Sequence, residues 1–118
     1  MIHTGGVEIT GPLKTREVTI DITAGADHVF SNEYDLKPLS DVEKFISENK
    51  HLPEVPSEKQ MQTEGLNINE FQIKLLQKIE ELTLYVIQQE KRIQEQENSS
   101  LEQKEVIEKL KEQLKRLQ

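Results

Sequence analysis

Apolar residues recur in one unbroken heptad register through the last third of the chain. With Ile79 at position a, the a residues are Ile79, Val86, Ile93, Ser100, Ile107 and Leu114, and the d residues are Leu82, Gln89, Gln96, Gln103, Leu110 and Leu117. A register held over six heptads is typical of a coiled coil. A lone helix of this kind would leave its apolar stripe in water, so the pattern predicts self-association.

The residues at a and d also bear on the number of chains. Taken alone, β-branched residues at a and Leu at d suit a dimer. Gln at three successive d positions favours a trimer, because a buried amide without a partner costs about 1–3 kcal/mol. A three-fold axis can bring three Gln side chains into one layer, where they bond to each other, to water or to a chloride ion. We expect a parallel homotrimer, with the dimer as the alternative.

Two charged residues flank the same stripe. Arg92 at position g and Glu97 at position e can form a salt bridge between chains. The segment 92–97 resembles the known trimer-specifying pattern of Arg, apolar, two residues of any kind, apolar, Glu. It departs from that pattern at Gln96, where an apolar residue is expected.

A shorter period appears near the N-terminus. Val7 and Ile9 alternate with polar residues, and Val18, Ile20 and Ile22 do the same after a Gly-Pro turn. Alternation of this kind predicts strands. We assign residues 1–26 to a short β-rich stem at the end of a longer fibre. Its apolar stripe is one side chain wide, so it must pack on other strands, on the next part of the chain or on its own copies.

The middle of the chain, residues 27–66, reads as a small head of irregular and helical segments. Ser40, with Glu43 three residues later, predicts a capping box for a helix over 41–49. The prolines of the following segment, 51–56, predict an extended link.

Capping residues also mark the next two helices. Ser57 is the predicted N-cap of a second short helix, which Gly65 ends. Asn67 is the predicted N-cap of a long helix over 67–118. Together the patterns predict an α+β fold with a β stem, a head and a coiled-coil helix.

Composition limits the chemistry. The chain has 118 residues, few aromatics, no Trp and no Cys. A large monomeric core is not expected, and cysteine catalysis and cysteine metal sites are excluded. The net charge of −7 disfavours nucleic acid as a partner. No apolar run approaches a membrane span and no signal peptide is evident, so membrane insertion is not expected. The first residues suggest a fragment that lacks its natural N-terminal neighbour.

Few residues are candidates for chemistry. Ser31 and Lys37 could act as nucleophile and base if the lysine were desolvated, although a surface serine and a solvated lysine are commoner. The three histidines lack metal-pair spacing, and the acidic residues of the head lack EF-hand spacing, so we expect no metal site. The residues concerned are His3, His28 and His51, and Asp27, Glu33, Asp35 and Asp41. An enzyme is not expected.

The amino-acid sequence of residues 28–56, together with that of residues 65–71 and 76–85, resembles a C-terminal tail-fibre-type module. Such modules occur in large surface and fibre-like proteins of bacteroidetes-type bacteria. A fainter similarity is to the intramolecular chaperone that ends endosialidase-type phage tailspikes. That similarity implies a role in trimerising and folding a preceding fibre. Many of those chaperones cleave themselves at a Ser-Asp-x-Arg-Leu-Lys motif. Residues 31–37 match it with one extra residue, and Tyr34-Asp35 stands where Arg is expected.

These observations predict a structural module. It would trimerise and help to fold the end of an elongated surface or tail-fibre protein, outside the cell or on a phage particle. One alternative is a self-cleaving chaperone that uses Ser31 and Lys37. The other is a fibre tip that binds a host receptor or a glycan.

Overall fold

The computed structural model describes residues 5–22 and 25–118. A short 3₁₀ helix spans Asp27–Phe30 and is followed by helix α1, Leu39–Asn49, helix α2, Glu58–Glu64, and helix α3, Ile68–Leu117. The molecule measures 92 × 33 × 30 Å. Its length comes from α3, whose 50 residues rise about 75 Å. The predicted long helix is confirmed.

The predicted β-rich stem is wrong, and the α+β fold class with it. None of the described residues, 5–22 and 25–118, forms a strand, and the described fold is entirely helical. Alternation shows which side chains share a face, but a strand also needs a neighbouring strand to complete its hydrogen bonds. Within one chain the apolar stripe has none, and Val7 and Val18 stay 74% and 65% exposed. Residues 1–4, 23 and 24 of the predicted stem lie outside the described residues.

Three of the four predicted helix signals are confirmed. The Asn67 side chain accepts a hydrogen bond from the backbone N–H of Glu70 (3.2 Å). Ser57 Oγ accepts one from the backbone N–H of Gln60 (3.1 Å). Gly65, with φ +78°, follows the last residue of α2. Each signal is local, so the sequence reveals it.

The capping box predicted at Ser40 is wrong. Helix α1 begins at Leu39, two residues before the predicted start, and no side chain caps it. Its first turn is instead closed by the Pro38 carbonyl, which accepts hydrogen bonds from the backbone N–H groups of Asp41 (3.0 Å) and Val42 (3.3 Å). Pro38, with φ −58°, enters the helix without adjustment of that angle.

The segment predicted to be an extended link contains a turn. The backbone N–H of Val55 donates to the carbonyl of Leu52 (3.3 Å), and Glu54 has φ +65°. Pro53 suits the second position of such a turn, but the third position favours Gly or Asn. A glutamate there is strained by about 1–2 kcal/mol. The turn therefore needs compensating contacts, and these come from α3.

The core is small and lies between the 3₁₀ helix and the first third of α3. Ala26 and Val29 are each 1% exposed, and Tyr85 is 8% exposed. Gln77 and Glu80 of α3 are also buried in this region. The head therefore packs on a single stretch of the long helix, and the rest of α3 projects beyond it.

Candidate self-association surface

The heptad positions predicted for self-association form an open stripe along α3, which we call the seam. All eight of its apolar residues are exposed, from 49% at Ile93 to 85% at Leu117. They are Ile79, Leu82, Val86, Ile93, Ile107, Leu110, Leu114 and Leu117. No other described part of the chain covers them. An uncovered apolar stripe of this length is typical of a protein–protein contact surface.

Four polar residues interrupt the middle of the seam: Gln89, Gln96, Ser100 and Gln103. All four are exposed, and their side chains make no hydrogen bond to other described residues. Arg92 and Glu97, which flank this region, are likewise exposed and form no ion pair among the described residues. Their polar groups are therefore available to another chain.

The head lies on the opposite face of α3. The buried residues Gln77, Glu80 and Tyr85 occupy positions f, b and g of the same register. Because an α-helix turns about 100° per residue, positions f and b lie away from the a and d stripe, whereas position g, where Tyr85 lies, borders the stripe on the side of d. The head therefore leaves the seam free. Sequence periodicity located the seam but did not show which face the head would cover.

A polar cluster fastens the head to this face. The Tyr34 hydroxyl donates a hydrogen bond to the Glu81 carboxylate. The Gln77 amide donates to that carboxylate (3.2 Å) and to the Glu54 carboxylate (3.2 Å). The Tyr85 hydroxyl donates to the backbone carbonyl of Lys37 (2.6 Å). Two segments of the head, residues 34–37 and the 52–55 turn, are thus tied to about two turns of α3.

Lysines of α3 complete this cluster. The Lys74 and Lys78 ammonium groups each lie 3.7 Å from the Glu54 carboxylate, and Lys78 also lies 3.2 Å from Glu81. These contacts offset the strain of the positive φ at Glu54. Sequence reasoning did not identify this glutamate, because a non-glycine residue at that turn position gives no signal of its own.

Burial and hydrogen bonding shift the pKa values of Glu81 and Tyr34 in the cluster, and burial also raises the pKa of Tyr85. Burial by itself raises the pKa of Glu81, but hydrogen bonds from Tyr34, Gln77 and Lys78, with the charge of Lys78, outweigh burial and lower it below 4.5. Burial, followed by the hydrogen bond to Glu81, raises the pKa of Tyr34 from 10.0 to about 12. Both shifts favour the docked head in the neutral range.

The candidate Ser–Lys pair is not assembled. Both side chains are exposed, and no hydrogen bond joins them among the described residues. Ser31 Oγ accepts a hydrogen bond from the backbone N–H of Glu33 (3.3 Å), and the hydrogen bond from Tyr85 goes to the backbone carbonyl of Lys37. A lysine base needs a desolvated position, and Lys37 does not occupy one.

The histidines and acidic residues of the head are dispersed. His28 packs edge-on against Tyr34 with ring centroids 5.7 Å apart, and His51 does so against Phe45 at 5.4 Å. His3 lies outside the described residues. Across 5–22 and 25–118, no three His, Asp or Glu residues form a group suited to a metal ion. In the same ranges, no helix combines the length and apolarity needed to cross a bilayer.

The seam also extends towards the N-terminus of α3. Ile68 and Leu75 fall at d positions of the same register and are 54% and 39% exposed, with Gln72 at the a position between them. Sequence reasoning missed these residues, although the register itself includes them. The exposed apolar stripe therefore begins at the first residue of α3, alongside the head.

Comparison of the chain with family models, with curated proteins and with solved structures finds no match. Functional inference therefore depends on the geometry of α3 and the head.

Proposed function

We propose that this chain is a self-association module in which three copies align in parallel through the seam of α3. The observation that carries the proposal is the position of the head. It packs on the face of α3 away from the seam and reaches only the flank at position g, so every a and d position is left open. Exposed apolar side chains spaced at heptad intervals gain about 1.5–3 kcal/mol each on burial, which favours association over the separate chain.

The order of polar and apolar layers supports a parallel, in-register arrangement. In that arrangement each Gln layer meets itself. In an antiparallel pairing of full overlap, Gln89 would lie opposite Ile107, and Ile93 opposite Gln103. A parallel shift by one heptad would place Leu82 opposite Gln89. Both alternatives bury amides against apolar side chains, which is unfavourable.

Charge also supports association of identical chains. Residues 67–118 carry nine basic and ten acidic side chains, so the helices repel each other little. Arg92 faces Glu97 of the next copy in the parallel register. The acidic excess belongs to residues 1–66, whose packed part lies on the outer face of α3.

The glutamine layers favour three copies over two. Each amide has two donors and two acceptor lone pairs, and three amides around an axis can bond in a ring. The remaining donors and acceptors are then met by water or by a chloride ion on the axis. Substitution of Gln96 by Leu removes one such layer, so a halide signal in crystals soaked in bromide should disappear from that layer alone.

We further propose that the module serves an elongated surface or tail-fibre protein outside the cell or on a phage particle. This part rests on the resemblance of residues 28–56 to tail-fibre-type modules. Pairing of the α3 helices would bring three chains into register. Alignment of this kind reduces the loop-closure entropy that non-local contacts upstream would otherwise require.

The association is tested by the mass of the protein in solution. Light scattering should give three times the chain mass of 13.7 kDa. Substitution of Ile79→Asp with Leu82→Asp buries charge in the seam and should give single chains. Val86→Asp and Ile87→Asp provide a matched pair, since these neighbours are 56% and 45% exposed but only Val86 lies in the seam. A native mass equal to one chain, or equal loss of mass in the matched pair, contradicts the proposal.

A further inference from the structure

A groove of about 530 Å³ opens between α2, the 52–55 turn and the start of α3. Its apolar lining includes Val55, Pro56, Leu66 and Phe71. Phe71 occupies position g of the heptad register and is partly exposed. A groove with both polar and apolar lining, whose edge at Phe71 borders the seam, is a candidate contact surface for another copy of the chain.

Leu76 is an unusual residue for its position. It falls at position e, where coiled coils commonly carry Glu or Lys, and it is 45% exposed. The head does not cover it. Phe71 and Leu76 are five residues apart on one helix, and a turn of about 100° per residue places them on different sides of it. They therefore do not pack on each other within a chain.

The parallel register brings the two residues together between chains. In a parallel coiled coil, a g residue faces the e residue five positions later in the neighbouring chain. This rule pairs Phe71 with Leu76 of the next copy, as it pairs Arg92 with Glu97. No g–e pair along α3 joins two like charges in this register, so the same ladder is compatible with close approach over its whole length.

We propose that Leu76 of each copy packs against Phe71 of the next copy, at the edge of the 530 Å³ groove. The inference rests on the proposed parallel trimer and names its contact at the head. Beneath this pair, Ile68 and Leu75 continue the seam. The interface then includes the head-bearing end of α3, and the neighbouring chain contacts α3 at the edge of the groove that the head helps to form.

Cross-linking tests this contact directly, because the chain has no cysteine. The double variant Phe71→Cys with Leu76→Cys, treated with a short bis-maleimide, should give a covalent three-chain species on a denaturing gel. The variant Phe71→Cys with Ile87→Cys is the matched control, since it alters the groove equally and Ile87 is also 45% exposed. At position b it faces outward and should give only single chains.

The outcomes separate this inference from the proposed function. A variant that keeps the three-chain mass by light scattering but yields only single chains after cross-linking overturns the Phe71–Leu76 contact alone. Equal cross-linking of the control overturns it as well. A single-chain mass for the unmodified protein overturns both proposals.

The contribution of this contact to the free energy of association can be measured at the same matched positions, 76 and 87. Neither position lines the groove. Leu76→Gln should raise the concentration needed for half-association by about tenfold or more, whereas Ile87→Gln should leave it nearly unchanged. Sedimentation velocity over a dilution series measures both. Equal shifts for the two variants contradict the contact.

Discussion

The two parts of α3 share one sequence pattern but differ in what supports them. Residues 68–85 carry the head, which buries Gln77, Glu80 and Tyr85. Every residue from 86 to 118 is exposed, and its one intrahelical ion pair, Lys111 with Glu108 at 3.9 Å, is worth about 0.3–0.5 kcal/mol. Helices in proteins owe most of their stability to packing. The first part obtains it from its own chain, and in the proposed trimer the second would obtain it from another copy.

The largest expected effect of this difference is on hydrogen exchange when the protein is diluted. Below the association concentration, backbone amides of residues 86–117 should exchange with solvent almost freely, while those near Gln77 and Tyr85 should stay protected by the docked head. Hydrogen exchange followed by mass spectrometry at high and low protein concentration measures this. Equal protection of both parts at every concentration would mean that α3 does not depend on partners.

The next effect concerns the head alone. Tyr85→Ala removes a buried aromatic ring and its hydrogen bond to the Lys37 carbonyl, and should destabilise the docked head by about 3 kcal/mol. Tyr85→Phe keeps the ring and should lose about 1 kcal/mol. Denaturant unfolding followed by near-ultraviolet circular dichroism reports this, because the head–helix contact contains both tyrosines and the chain has no Trp. Equal losses in the two variants would contradict the packing described for Tyr85.

Acid should weaken the head through Glu81. Its pKa is lowered in the folded chain, so its stabilisation is fully present above about 4.5 and is lost as pH falls through the lower folded value. Tyr34, whose pKa is raised to about 12, should destabilise the docked head in the opposite range, as pH rises from 10 towards 12. In Glu81→Gln the acid-dependent part should shrink. An unchanged acid profile in that variant would exclude Glu81 as its source.

The smallest expected effect is at the strained turn. Glu54→Ala and Glu54→Gly both remove the contacts to Gln77, Lys74 and Lys78. Only glycine relieves the φ of +65°, so the glycine variant should be more stable than the alanine variant by about 1 kcal/mol. The mass of the associated protein should not change in either. Equal stability of the two variants would show that the turn is unstrained.

Most features that depend on contacts between residues close in sequence were predicted correctly, whereas features that depend on distant residues were not. Asn67 and Ser57 were identified as caps because each accepts a hydrogen bond from a residue three positions later. The stem failed because the alternation of Val18, Ile20 and Ile22 says nothing about a partner strand. The prediction at Ser40 failed because Pro38, two residues earlier, is the N-cap, so Ser40 already lies in the first turn of the helix. The Ser31–Lys37 pair came from a resemblance, which placed the residues in sequence but not in space.

The sequence by itself determined where α3 begins and which of its side chains form the seam from Ile79 onward. Helix caps and heptad spacing depend on residues that lie within a few positions of one another, so they can be predicted from the local amino-acid sequence. Only the tertiary structure decided which face of α3 the head covers. That choice depends on contacts such as Tyr34 with Glu81 and Tyr85 with Lys37, whose partners lie 47 and 48 residues apart. No periodic pattern encodes a meeting at that distance, because it requires the chain to fold back on its own helix.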